Sequence, residues 1–195
     1  SAQIREILIS ESAWEEMTCL FAPSLTQDQI TLLLGECKRH DHPDLETVVK
    51  ICLATGARWS ESESLKKNQL AKYKITYTNT KSRKNRTVPI SKEIYDSLPH
   101  DKKGRLFGDC YGAFRSALER TGIELPAGQL THVLRHTFAS HFMMNGGNIL
   151  VLQRVLGHTD IKMTMRYAHF APDHLEDAVR LNPISNLRYE CKVKR

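Results

Sequence analysis

Two runs, Lys74-Ile75-Thr76-Tyr77-Thr78 and Arg86-Thr87-Val88-Pro89-Ile90, decide the fold class. Both are rich in β-branched residues and bounded by polar stretches, which predicts strands. Between them lies Asn79-Thr80-Lys81-Ser82-Arg83-Lys84-Asn85, a basic turn that would make the pair an antiparallel hairpin. Pro89 has no N–H to give to a ladder, so the second strand should lie at an edge or end there. A short strand near Leu70 would make the sheet three-stranded.

On both sides of this hairpin the apolar period changes to that of helices. Upstream, Thr26 is placed as an N-cap with Gln29 at the reach-back position of a capping box. Ile30, Leu33 and Leu34 then form one face, and the helix fades near His40. Asp44 is expected to cap a second helix through Val48, Ile51, Cys52 and Ala54, stopped by Gly56, and Ser60 a short third one. Downstream, helices resume at Ser91. Asp109 should cap a segment carrying Phe114, Ala117 and Leu118 that stops at Gly122. Thr131 should cap one through Leu134, Phe138, Ala139 and Phe142 that stops at Gly146-Gly147. Asn148 opens another, with Ile149, Leu152 and Leu156, ended by Gly157. Pro172 suits a first helical turn, starting a last helix through Leu175 and Val179. The expected class is α+β, mostly helical, with a small antiparallel sheet on one side.

The chain has 195 residues, the size of one domain or a tightly joined pair. With 41% apolar and 26% charged residues, it has globular composition. No apolar run is long enough to span a membrane, and the charged start Ser1-Ala2-Gln3-Ile4-Arg5-Glu6 is unlike a signal peptide. A first residue other than Met suggests an excised domain. Five cysteines, at 19, 37, 52, 110 and 191, form no CxxC pair and are odd in number. They read as reduced thiols of a cytoplasmic protein.

The net charge of +6 is unevenly distributed. Residues 1–50 carry nine acids against four bases, while residues 51–195 carry 24 bases against 13 acids. Between Lys66 and Lys92 there are nine Lys or Arg and no acid in 27 residues. Such a one-sided run favours a polyanion, because neutralising phosphates releases their counterions. A solvated face is the bland alternative for any charge run, and a mixed-sign run would favour it.

The candidate chemical groups are weak singly. Arg58 could be a surface ion-pair partner, Lys81 a solvated turn residue and Tyr167 a buried aromatic. His132 and Arg135, three apart, share a helix face. Gly157-His158 could be only a helix C-cap with a cation near the dipole. Together, two arginines, a lysine, two histidines and a tyrosine are what metal-free phosphodiester cleavage by a protein nucleophile requires. Guanidinium forks bind the non-bridging oxygens and stay charged as negative charge builds at phosphorus. A phenol with pKa of about 10 needs a base or cationic surroundings to attack. A leaving 5′-hydroxyl needs a proton, which a hairpin lysine can deliver. HExxH, EF-hand, DxD, Walker and GxGxxG patterns are all missing, so no metal or nucleotide cofactor is expected.

These residues sit in Ala54-Thr55-Gly56-Ala57-Arg58-Trp59-Ser60-Glu61, Thr80-Lys81-Ser82, Thr131-His132-Val133-Leu134-Arg135-His136-Thr137-Phe138-Ala139-Ser140 and Leu156-Gly157-His158. Tyr167-Ala168-His169 follows, with Tyr167 nine residues after His158. In this order and spacing they resemble the catalytic domain of the tyrosine recombinase family, and within it the integrases of temperate enterobacterial phages. The resemblance runs from about Leu25 to Ala171. It implies that Arg58 and Arg135 clamp the phosphate, Lys81 is the general acid and His132 a general acid/base. It further implies that His158 is another phosphate ligand and Tyr167 the nucleophile that becomes a 3′-phosphotyrosine. Glu61 and His136 match supporting positions, and Val133 stands where the family commonly has an acid. Arg83, Lys84 and Arg86 are expected to position the DNA backbone.

The implied activity is site-specific recombination that integrates and excises phage DNA. A type IB topoisomerase-like relaxase uses the same residue set, and a noncatalytic DNA-binding regulator could keep the fold. The implied partners are double-stranded DNA attachment sites, other copies of the chain in a tetramer on DNA, and host or phage DNA-bending factors. Residues 1–183 would form the catalytic domain, without counterparts of the core-binding and arm-binding domains. Residues 184–195, where Tyr189, Cys191 and Val193 alternate with charges, read as an edge strand that docks on its own sheet or is exchanged between protomers.

Overall fold

The computed structural model describes residues 23–78, 85–126, 128–173 and 175–185. The chain opens with α1 (Gln27–Arg39), whose Thr26 and Gln29 form the expected reciprocal capping box. Helix α2 (Leu45–Thr55) ends at Gly56 in the left-handed conformation, φ 62°. Asp44 stands at its start without capping it through its side chain. Its carboxylate instead accepts the Gly108 N–H, 2.8 Å away, across the fold.

The short α3 (Trp59–Glu63) begins two residues earlier than a Ser60 cap would allow. Arg58 occupies the N-cap, and Glu61 reaches back to accept its N–H at 2.9 Å. The sheet follows, with β1 (Leu70–Ala71), β2 (Lys74–Tyr77) and β3 (Arg86–Pro89) antiparallel in that order. Lys74 pairs with Pro89 and Tyr77 with Arg86, and among the described residues β3 is an edge strand, the position that suits Pro89. Ile75 and Tyr77 of β2 and Arg86 and Val88 of β3 are buried, while Lys74, Thr87 and Pro89 are exposed. That is the two-residue period of a half-buried sheet.

Helix α4 (Lys92–Asp96) is capped by the Ser91 hydroxyl. Helix α5 (Tyr111–Thr121) starts after Cys110, not after an Asp109 cap. Asp109 pairs with Arg105, and Glu63 accepts both the Cys110 and the Tyr111 N–H from a distant part of the chain. Helix α6 (His132–Met144) packs along α2, and α7 (Ile149–Leu156) is capped by Asn148 and ended by Gly157. The short α8 (Lys162–Met165) leads into Tyr167 and a 3₁₀ turn, Ala168–Phe170. The last helix, α9, is only Asp177–Arg180. It begins well after Pro172, and Leu175 and Val179 are exposed, with no element among the described residues covering them.

The main core unites α1, α2, α5, the first turn of α6 and the sheet around Leu33, Leu45, Ile51, Ile75, Phe114 and Leu134. Val133 is fully buried within it, which suits an apolar residue at that position. A second cluster joins α6 to α7 and the segment after it through Ala139, Met143, Leu152, Leu156 and Tyr167. Cys37, Cys52 and Cys110 are buried free thiols, and burial pushes each up to about 12, so they are unreactive near neutral pH. Among the described residues, no helix is long and apolar enough to cross a membrane.

Candidate active site

Helix α6 is the spine of the site. Arg135, 3% exposed, donates from Nη1 to the Gly56 carbonyl at 2.7 Å and from Nη2 to the Leu156 carbonyl at 2.8 Å. Those carbonyls lie at the C-terminal ends of α2 and α7, where the helix dipoles favour a cation. One guanidinium therefore fastens two helix ends to a third helix. Its Nη2 also lies 3.1 Å from His158 Nε2.

Arginine can only donate, so His158 Nε2 must be the acceptor and its proton must sit on Nδ1. Nδ1 then donates to the buried Thr164 hydroxyl, 2.9 Å away. Burial first, and then Arg135, Arg58, Arg166 and Arg86, push His158 down to about 2. The neutral ring sits in the field of four cations. That surplus of positive charge is what a phosphate would neutralise.

The next residue of α6 faces the second cluster. His136, 4% exposed, places Nδ1 at 2.5 Å from the Tyr167 hydroxyl, itself in a residue 5% exposed. Burial, with His132, Arg135 and Arg166 adding to it, pushes His136 down to about 3. A neutral ring can accept the phenolic proton, which an imidazolium cannot. His132 stands one turn earlier, its ring 6.5 Å from that of His136. The two histidines and the tyrosine thus form a series along one side of α6.

Arg58 meets this arrangement from the loop between α2 and α3. Its Nη1 lies 3.6 Å from Glu61 Oε1. Glu61 is held more closely by Arg86, with Nη1 to Oε1 at 2.9 Å and Nη2 to Oε2 at 2.5 Å. Burial alone would push the Glu61 carboxyl up, but Arg86, the Arg58 N–H and Arg135 outweigh it and hold the group below the usual carboxylate range.

Arg86 corrects the sequence-based expectation. It is 8% exposed and committed to Glu61, so it is not an open charge on a phosphate-facing surface. Lys81, Arg83 and Lys84 lie outside the described residues, as does the tail from residue 186 onward. Two participants, Thr164 and Arg166, escape a reading by motif. A buried threonine and an arginine beside a tyrosine carry no spacing signal of their own. No cluster of His, Cys, Asp and Glu suited to a metal occurs among the described residues.

The phage integrase family profile matches residues 23–174. The chain belongs to this family. This family member is 89% identical to the integrase of Escherichia phage 186 over 163 residues, covering 84% of the chain and 48% of that integrase. It is 67% identical to the integrase of Haemophilus phage HP1 over 162 residues, covering 83% of the chain and 48% of that protein. The chain thus spans about half the length of these relatives. Among solved structures, the catalytic domain of bacteriophage HP1 integrase aligns with a TM-score of 0.81 at 66% identity, covering 84% of this chain and 96% of that one. A Tn1549 transposon integrase in complex with circular intermediate DNA shares the fold, with a TM-score of 0.62 at 22% identity over 82% of this chain and 66% of that one. The mostly helical α+β class with a small antiparallel sheet is therefore the fold of the phage integrases.

Proposed function

We propose that this chain is the catalytic part of a tyrosine-type site-specific recombinase that cuts and rejoins double-stranded DNA to integrate and excise phage DNA. One observation carries the reading. Consecutive residues of α6 hold the two halves of the chemistry, Arg135 in the cationic cluster with His158 and His136 on the hydroxyl of Tyr167. The 66% identity to the HP1 integrase catalytic domain supports it.

In this mechanism, Arg58 and Arg135 bind the non-bridging oxygens of the scissile phosphate. The Tyr167 oxygen attacks phosphorus as its proton passes to the histidine series, with His132 as the general acid/base. The bond to the 5′ oxygen breaks, and Lys81 supplies the proton that makes the 5′-hydroxyl. The 3′-phosphotyrosine keeps one phosphodiester-level bond. A 5′-hydroxyl can therefore reverse the step, and neither ATP nor metal enters the balance. His158 accepts from Arg135 and so steadies the guanidinium, consistent with its neutral state.

Arg83 and Lys84 contact the DNA backbone beside the cut. Four copies meet on the recombining DNA in the host cytoplasm, assisted by host or phage DNA-bending factors. Residues 1–183 form the catalytic domain, and residues 184–195 dock as an edge strand on this or a neighbouring copy. The test is a duplex nicked so that the released end diffuses away. In a chelator and without nucleotide, it should accumulate a covalent protein–DNA product. Dependence of that product on added divalent metal would refute the mechanism.

A further inference from the structure

We infer that Arg86 is a positioning residue of this reaction. By occupying Glu61, it keeps that carboxylate from turning the Arg58 guanidinium away from the phosphate. The inference rests on the reading of Arg58 as a phosphate-binding residue.

Glu61 is one carboxylate between two guanidinium groups. Arg86 takes it as a two-point fork, at 2.9 and 2.5 Å, whereas Arg58 Nη1 stays 3.6 Å away. The rest of the Arg86 side chain is fixed from other directions. Its guanidinium stacks on the Tyr77 ring, 4.6 Å from the centroid. Its Cδ would lie 3.1 Å from a Cβ placed on Gly157, the residue before His158. Arg86 also opens β3, five residues after Lys81. One side chain therefore ties the strand leading from the basic hairpin to the Arg58 loop and to the His158 turn.

Charge-assisted, bidentate arginine–carboxylate pairs are strong and directional. Without Arg86, a buried ionised Glu61 would have the Arg58 guanidinium as its nearest strong partner. Glu61 would then compete with the phosphate for the same fork. The cost should fall on the cleavage step rather than on DNA affinity, because Arg86 itself touches no phosphate in this account.

The experiment uses the full chain with Arg86→Met and Arg86→Lys, each also combined with Glu61→Gln. Adduct formation on a nicked duplex is followed in single turnover at saturating DNA, together with the salt dependence of duplex binding. Arg86→Met should slow adduct formation about 100-fold, the scale of a misplaced catalytic group, with the salt slope unchanged. Adding Glu61→Gln should recover about tenfold or more, since a neutral amide still accepts the Arg58 N–H but no longer attracts its guanidinium. If Arg86→Met fails to melt cooperatively, Arg86→Lys keeps the buried charge with a single-point contact. It should lose about tenfold and be rescued in the same way. A salt slope lower by about 1 would show a phosphate contact and overturn the inference. Double variants no faster than the single ones would show a merely structural pair and overturn it too. Absence of any adduct from the unsubstituted protein would remove the recombinase reading and this inference with it. The other two outcomes remove this inference alone.

Discussion

Replacing His136 by Asn tests the proton state on which attack by Tyr167 depends. Asparagine Oδ1 can stand near the place of the imidazole Nδ1, so an acceptor for the Tyr167 hydroxyl remains while the titrating group is lost. In the folded protein His136 is pushed down to about 3, against 6.5 for the free side chain. Above 6.5 neither the folded nor the unfolded ring holds a proton, and the site adds no pH dependence. Below it, the unfolded chain takes up a proton that the folded chain refuses until about pH 3. Stability is therefore lost as the pH falls through that window, at about 1.4 kcal/mol per unit for one group. Between pH 7 and pH 5 the loss attributable to His136 is about 2 kcal/mol. His158 has the same sign but is present in both proteins, so it cancels from the difference. Urea unfolding at the two pH values, for the parent and for His136→Asn, gives the quantity directly. The parent should lose about 2 kcal/mol more than the variant. Equal losses would mean that His136 titrates normally in the fold, and the neutral acceptor for the Tyr167 proton would have to be abandoned.

Lys81→Ala should slow cleavage of ordinary DNA by about 10²–10⁴-fold and spare a substrate with a 5′-bridging phosphorothiolate, whose leaving group needs no proton. Equal slowing of both substrates in a single-turnover assay would move the acid role elsewhere. Gly56→Ala should cost about 2 kcal/mol or more, because φ is 62° and the new Cβ would meet the Phe138 ring and lie 2.8 Å from Leu156 Cδ2. Melting should fall by roughly 4–8 °C, and cleavage should also weaken because the Gly56 carbonyl holds Arg135. An unchanged melting curve would contradict the packing described.

Much of this fold was legible because its signals are local. The Thr26–Gln29 capping box, the glycine stops at 56, 122 and 157, the Asn148 cap and the edge position of Pro89 each depend on residues a few positions apart. The misplaced caps have the opposite character. Asp44 and Asp109 look like N-caps locally, but their carboxylates go to Gly108 N–H and to Arg105, and Glu63 serves the start of α5 from 47 residues away. The final helix is shorter than its apolar spacing from Pro172 suggests, because spacing alone cannot show that Leu175 and Val179 stay exposed among the described residues.

The site follows the same division. The motifs carry Arg135, His158 and Tyr167, but not Thr164 as the partner of His158 or His136 as the partner of the tyrosine hydroxyl. Arg86 was within reach of the sequence. Strand periodicity puts it on the same face as Val88 and Ile90, both buried, so an inward arginine needing a carboxylate could have been expected. The density of charge around it masked that signal.

Everything proposed for this site turns on the Tyr167 oxygen becoming bonded to DNA. Its most direct test is covalent capture on a nicked duplex by the parent chain and by Tyr167→Phe, with the attached peptide identified by mass and duplex affinity measured alongside. The parent should carry the adduct on the peptide containing Tyr167, Tyr167→Phe should form none, and the two should bind intact duplex with nearly equal affinity. A normal adduct yield from Tyr167→Phe, or attachment at another residue, would contradict it.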